Sequence, residues 1–225
     1  MGYNGTEIGI ELDADVIHHD SDEIFAVRLP GIPANWKPVF DEESNAVIGW
    51  VEEWTGLKKI YDLEGKFVGM EELPLENVYI VEDILLLFVG ITEIKWILQG
   101  GKEAAVVAGR QIGRSASLGI AAALISRSAL VGLRISFRQL TKREIFKFTG
   151  TTAVHMAEKG RYVPTHVLYL AARYGKRMAD PQGVAGAVKF ILELEKYDKT
   201  GQAKKYTLEL VLRTKDWTVL HFLYK

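Results

Sequence analysis

The sequence predicts an α+β protein: a C-terminal module of two helices packed on an antiparallel β-meander, preceded by a helical Ala/Gly-rich segment and a small β-rich N-terminal region. Three observations predict it. Residues 187–198, 204–214 and 218–225 alternate apolar and polar side chains, the period of a half-buried strand. Two helix-like runs that stop at Gly160 and Gly175 come before them. Near the start, PVFDEESNAVIGWVEE (38–53) is echoed by KIYDLEGKFVGMEE (59–72), each reading as a hairpin closed by Asp, Glu and Gly or Asn.

These signals divide the 225 residues into an acidic hairpin-rich region (1–77), a helical linker or delivery segment (78–140) and a basic module (141–225). PLEN at 74–77 marks the first boundary, a proline followed by a helix start. Net charge is −1, but it is unevenly spread: residues 1–100 carry −14 and residues 101–225 carry +13. A basic half of that size seeks an anionic partner such as nucleic acid, a membrane surface or the acidic half of its own chain.

Cysteine is absent, which excludes disulfides, thiol nucleophiles and the His/Cys zinc signature of nucleotide deaminases. No secretory signal is visible in MGYNGTEIGIELDAD. HHDSDE (18–23) holds metal-ligating residue types, but adjacent rather than at helical or hairpin spacing, so no metal or cofactor is expected. The apolar run 84–98 is broken by Glu93 and Lys95, and 104–137 carries Arg110, Arg114, Arg127 and Arg134, so no stable transmembrane span is expected. Closely spaced Gly109, Gly113, Ala116, Gly119 and Ala123 suit tight helix packing.

In the basic module, TKREIFKFTGTTAVHMAEKG reads as one helix or two short ones, with Thr149, Thr151 or Thr152 as cap. VPTHVLYLAARYGK reads as the next helix, with Pro164 near its first turn. ADPQG is a turn. His166, near the start of that second helix, reads as structural or capping.

Alternation sorts the strand faces. Phe190, Leu192, Leu194, Leu208, Leu210, Leu212, Leu220 and Phe222 should point at the helices. The open face then carries Lys189, Thr207, Glu209, Arg213 and His221. A three-residue loop at 214–216 would set Leu210 opposite Leu220 and Glu209 opposite His221, close enough to interact directly. A carboxylate, a guanidinium and an imidazole side by side suit metal-independent RNA cleavage. A base takes the ribose 2′-hydroxyl proton, a cation steadies the phosphate oxygens, and an acid protonates the departing 5′-oxygen. The neighbouring carboxylate would favour the charged imidazole, and Arg213 would hold the phosphate. The same cross-strand pairs also occur as an ordinary solvent face.

TTAVHMAEKGRYVPTHVLYLAARYGKRMADPQGVAGAVKF, followed by YTLELVLRTKDWTVLHFLYK, resembles the C-terminal toxin modules of bacterial polymorphic toxins. The likeness lies in a Thr-rich helix bearing a His, then P-x-x-(V)L, G-(K/R)-R, a D-P-(Q/R)-G turn, Y-x-L-E and a final H-F-x-Y. It covers about residues 141–225. Such modules are grouped with the barnase, EndoU, colicin D and RelE-like ribonuclease superfamily. The resemblance implies an endoribonuclease acting on tRNA or other RNA, delivered from a bacterium into the cytoplasm of a target cell. It also implies a cognate immunity protein and a secretion or delivery apparatus as partners. Carried over, it makes His155, Glu209 and His221 catalytic, beside Arg213 from the strand reading. It places Arg173, Lys176, Arg177 and Asp180 around the turn; the three cations, with Lys189 and Thr207 of the open strand face, are the expected substrate contacts. Two other readings compete: a membrane-active toxin using 78–137, and a non-catalytic RNA-binding adaptor whose cations dock on phosphates.

Overall fold

Strand alternation is carried into regular structure wherever an apolar face finds a partner. The computed structural model describes residues 2–12, 24–41, 44, 46–72, 125–142, 146–158, 160–197 and 203–225. They fall into two units, one from residues 1–30 and 136–225 and one from residues 31–135. HHDSDE and residues 78–124 of the expected helical segment, with its close-spaced Gly and Ala, lie outside the described residues. No helix among the described residues is long and apolar enough to cross a membrane.

The unit from 31–135 is built on a four-stranded antiparallel meander: β3 (Lys37–Asp41), β4 (Ala46–Trp54), β5 (Leu57–Asp62) and β6 (Phe67–Glu72). Its tightest connection is the two-residue turn Thr55–Gly56, both at positive φ (39° and 82°), which matches the strand twist as mirror-image hairpin turns do. Helix α1 (Arg127–Lys142) contributes its first half to this unit. Leu130 and Leu133 are buried at i, i+3, and Arg134 Nε and Nη2 donate to Asp41 Oδ1 at 3.0 and 2.6 Å. That pairing satisfies a carboxylate only 2% exposed, which would be costly to bury alone.

The other unit corrects the expected fold class. It is not two helices on a three-strand meander. Among the described residues its sheet has seven strands and is mixed: β1 (Ile10–Glu11), β7 (Lys147–Phe148), β11 (Thr218–Tyr224), β10 (Ala203–Arg213), β9 (Ala187–Tyr197) and β2 (Ile24–Ala26) in spatial order. The seventh, β8 (Lys176–Ala179), also pairs with β9. Pairing is antiparallel except between β11 and β7. The reason is long-range pairing. Residues 10–11 and 24–26 travel from the far end of the chain to extend the sheet, and strands that short carry no legible alternation.

Two further departures have local causes. The stretch TKREIFKF is not one helix: α1 ends at Lys142, and Lys147–Phe148 becomes a strand whose Lys147 N–H donates to Trp217 O (3.0 Å). Residues 176–179 form a strand, although all four are exposed and give no apolar signal.

Helices α2 (Gly150–Ala157) and α3 (Thr165–Tyr174) pack on the sheet, α2 on β11 and β7 and α3 on β9 and β10. Leu208, Leu210, Leu212, Phe190, Leu192, Leu194 and Phe222 are buried with Leu168 and Leu170 of α3 in this core. At the end of α3, a Cβ on Gly175 would lie 2.4 Å from Ala171 O and 3.0 Å from Ile191 O, so only glycine lets the helix leave so close to β9.

Candidate active site

The site begins with a cap. Thr149 accepts from Thr152 N (3.3 Å), and Thr152 Oγ1 reaches Val219 O (3.0 Å), tying the start of α2 to β11. One turn further on, His155 sets its ring edge-on against Phe222, 84° between planes with centroids 6.2 Å apart. Gly160 at φ +85° then turns the chain back, and Tyr224 Oη donates to the Gly160 carbonyl while accepting from Lys196 Nζ. A cleft of about 230 Å³ results, lined by His155, Gly160, Arg161, His221, Phe222, Leu223 and Tyr224.

Both candidate histidines therefore line one cleft, although 66 residues separate them in sequence. Arg161, which the sequence reading passed over, joins them. Its Nη1 lies 2.7 Å from His155 Nε2, and its Nε lies 3.1 Å from Glu158 Oε2. A guanidinium can only donate, so in this contact Nε2 of His155 is the acceptor. The one sequence signal for Arg161 was its place just after the helix-stopping Gly160.

The register of the last hairpin differs from the expected one. Glu209 stands opposite Leu223 and Val211 opposite His221, while Leu212 pairs with Val219. Leu220 is the extra residue of a β-bulge, and the loop spans four residues, 214–217, rather than three. Glu209 and His221 share the face but sit diagonally.

Glu209 is clasped by Lys189 Nζ at 2.6 Å and Lys225 Nζ at 2.5 Å. Those bonds, Lys189 first, hold its carboxyl below the ordinary glutamate range. It is an ionised acceptor with both oxygens engaged, poorly suited to taking a proton. For His221, burial is the main cause that lowers the imidazole pKa, helped by the nearby His155, and Glu209 only partly opposes it. The expected dominance of the carboxylate does not hold here.

Arg213 lies on the expected face of β10 but is 6% exposed. Its Nε and Nη2 grip Asp216, Nη1 donates to Gly5 O (2.5 Å), and Nη2 also donates to Glu7 O (2.9 Å) and Thr218 Oγ1 (3.1 Å). The cation expected to hold phosphate instead anchors the N-terminal segment. A single sequence window could not show this, because its partners are more than 200 residues away.

The substrate-contact residues divide between faces. Lys176 pairs with Ile191, which puts it on the Glu209 side with Lys189. Thr207 exchanges backbone bonds with Lys225 at the same side's end (2.8 and 3.2 Å). Arg173 and Arg177 line a different cleft of about 410 Å³ with Phe190, Leu212 and Trp217, and Arg173 Nε donates to Tyr174 Oη (3.2 Å). They are not brought to the histidines. Asp180 anchors the DPQG turn, Oδ2 accepting from Val184 N at 2.7 Å. His166 is buried against Phe137 and does not line the cleft.

No protein-family model, curated protein or solved structure matches this chain. The reading of its chemistry therefore rests on the residues themselves. Among the described residues, no group of three His, Cys, Asp or Glu side chains converges as a metal site would.

Proposed function

We propose that the unit containing β9–β11 is an endoribonuclease that cleaves RNA by acid–base transesterification. The observation that carries this reading is the convergence of His155, His221 and Arg161 on one cleft. His155, whose Nε2 lone pair faces a guanidinium, is the base for the 2′-hydroxyl. When the phosphate enters, Arg161 transfers its donors from Nε2 to the phosphate oxygens and frees that lone pair. His221 is the acid that protonates the leaving 5′-oxygen, and Glu209 on its flank favours its charged form. Lys189 and Lys176 on the same face supply the field that draws the RNA backbone. Arg213 has no catalytic part in the proposed site, and Arg173 and Arg177 line another cleft.

The resemblance of 141–225 to polymorphic-toxin modules supports the wider setting. The chain would act as an antibacterial toxin in the cytoplasm of a target cell, delivered by a secretion apparatus and restrained by an immunity protein. RNA, tRNA included, is the substrate. The purified full chain should cut RNA, and His155→Ala and His221→Ala should each lower the rate by about 10²-fold or more, the usual contribution of a positioned acid or base. RNA left intact by the wild-type chain would defeat this reading.

A further inference from the structure

Residues 2–11 cross the His221 side of the sheet in two differently held parts. The downstream part is rooted: Gly5 and Glu7 offer their carbonyls to buried Arg213, and Ile10–Glu11 pair with β7. At Gly9 the fit is so close that a Cβ would lie 2.6 Å from both Lys147 Cβ and Thr218 Oγ1. The tip is held by polar contacts to one surface turn and by a ring contact with His221. Tyr3 N–H donates to Gln182 Oε1 (3.2 Å) and the phenol hydroxyl to Asp180 Oδ1. Between these contacts the Tyr3 ring lies on the His221 imidazole, centroids 5.8 Å apart and planes 19° from parallel.

An aromatic ring parallel to the imidazole of a ribonuclease-like site fills the space in which an unpaired nucleobase would stack. We propose that Tyr3 is a reversible cover over one face of the His221 imidazole, latched by Asp180, and that an unpaired base of the RNA displaces it from that face. The rooted residues 5–11 keep the tip close, so uncovering requires only the latch and the stack to break. This rests on the ribonuclease reading for the identity of the displacing ligand, but not for the cover itself.

The test uses the full chain and two substitutions, Tyr3→Ala, which removes ring and latch, and Tyr3→Phe, which keeps the ring and removes the latch. Histidine modification by diethylpyrocarbonate, mapped by mass spectrometry, reads His221 access against His155 in the same cleft and buried His166 as internal references. Cleavage of a short single-stranded RNA is measured in parallel, and matched thermal midpoints establish that the variants fold. His221 modification should rise about 5- to 30-fold in Tyr3→Ala, the factor that one or two kcal/mol of lost contact gives, and less in Tyr3→Phe, with cleavage rising in the same order. Unchanged His221 reactivity overturns the cover. So does faster modification with slower cleavage, which would make Tyr3 a platform for substrate. Faster modification with no cleavage by any variant leaves the cover standing and removes the ribonuclease reading.

Discussion

Arg161 and His155 face each other across 2.7 Å, guanidinium Nη1 donating to imidazole Nε2. The pair joins the end of α2 to the chain that Gly160 turns back, and it sets a permanent cation beside an unprotonated ring nitrogen. In the proposed reaction, an arginine so placed would stabilise charge gathering on a phosphate in the transition state more than in the ground state. Arg161→Ala should therefore lower kcat by about 10²-fold with little change in KM. Arg161→Lys should restore only part of that, since an ammonium cannot reproduce the forked contact. Single-turnover cleavage of a defined RNA reads both.

In the proposed reaction, the lowered pKa of His221 would set the pH dependence. Burial is the main cause, His155 and Lys189 add to it, and Glu209 opposes it, with Tyr3 stacked on the ring. An acid catalyst works while it is protonated, so the alkaline limb of the rate profile should lie below pH 6.5, the ordinary histidine value. Glu209→Gln removes the group that raises the pKa and should move that limb to lower pH. A limb that stays in place or moves upward would show that His221 is not the titrating acid.

Arg213 predicts a stability effect rather than a catalytic one. Its removal strands Asp216 and leaves Gly5 O and Glu7 O without their donor. Arg213→Met should cost about 2–4 kcal/mol in denaturant unfolding, in the range for losing several charge-assisted bonds from a buried group. Cleavage per folded molecule should stay within a few-fold of wild type. A loss comparable with that of His155→Ala would return Arg213 to the active site.

His166 gives a second pH signature, in folding. Burial lowers its pKa to about 4, so the folded state keeps the ring neutral while the unfolded chain takes up a proton below about pH 6.5. The unfolded state then binds more protons, and stability falls as pH drops from 6.5 towards 4, flattening below that. The loss should amount to about 3 kcal/mol over the window, from 1.36 kcal/mol per pH unit. Urea midpoints at pH 7 and pH 4.5 should converge in His166→Leu. An equal acid shift in both chains would assign the effect to other groups.

How much of this was legible before folding depends on the range of each interaction. The leucines at 208, 210 and 212 declared their buried face because alternation is a property of neighbours. Thr149 stood among three cap candidates, Thr149, Thr151 and Thr152, and the Pro164–Gly175 limits of α3 were readable for the same reason. Strand β8 was not, because all four of its residues are exposed and its only signal is pairing with β9. Of the candidate site, His221 was named from strand alternation and His155 from the resemblance, and the fold sets both on one cleft, while Arg213, named from the same strand face, is buried against the N-terminal segment. Arg213 and Arg161 are equally plausible as cations in sequence, and only burial tells them apart.

The sequence by itself determined the elements whose stabilising contacts lie within one turn or one strand: the alternating strands, the helix caps and the acidic–basic division of the chain. The tertiary structure alone decided the sheet's width, the bulge at Leu220 that sets Glu209 diagonal to His221, and the passage of residues 2–11 over the face that alternation had left open. The physical reason is that those outcomes depend on backbone groups meeting across the chain. A carbonyl at Gly5 or a strand at Ile24 carries no mark in its own neighbourhood of the guanidinium or edge it will find.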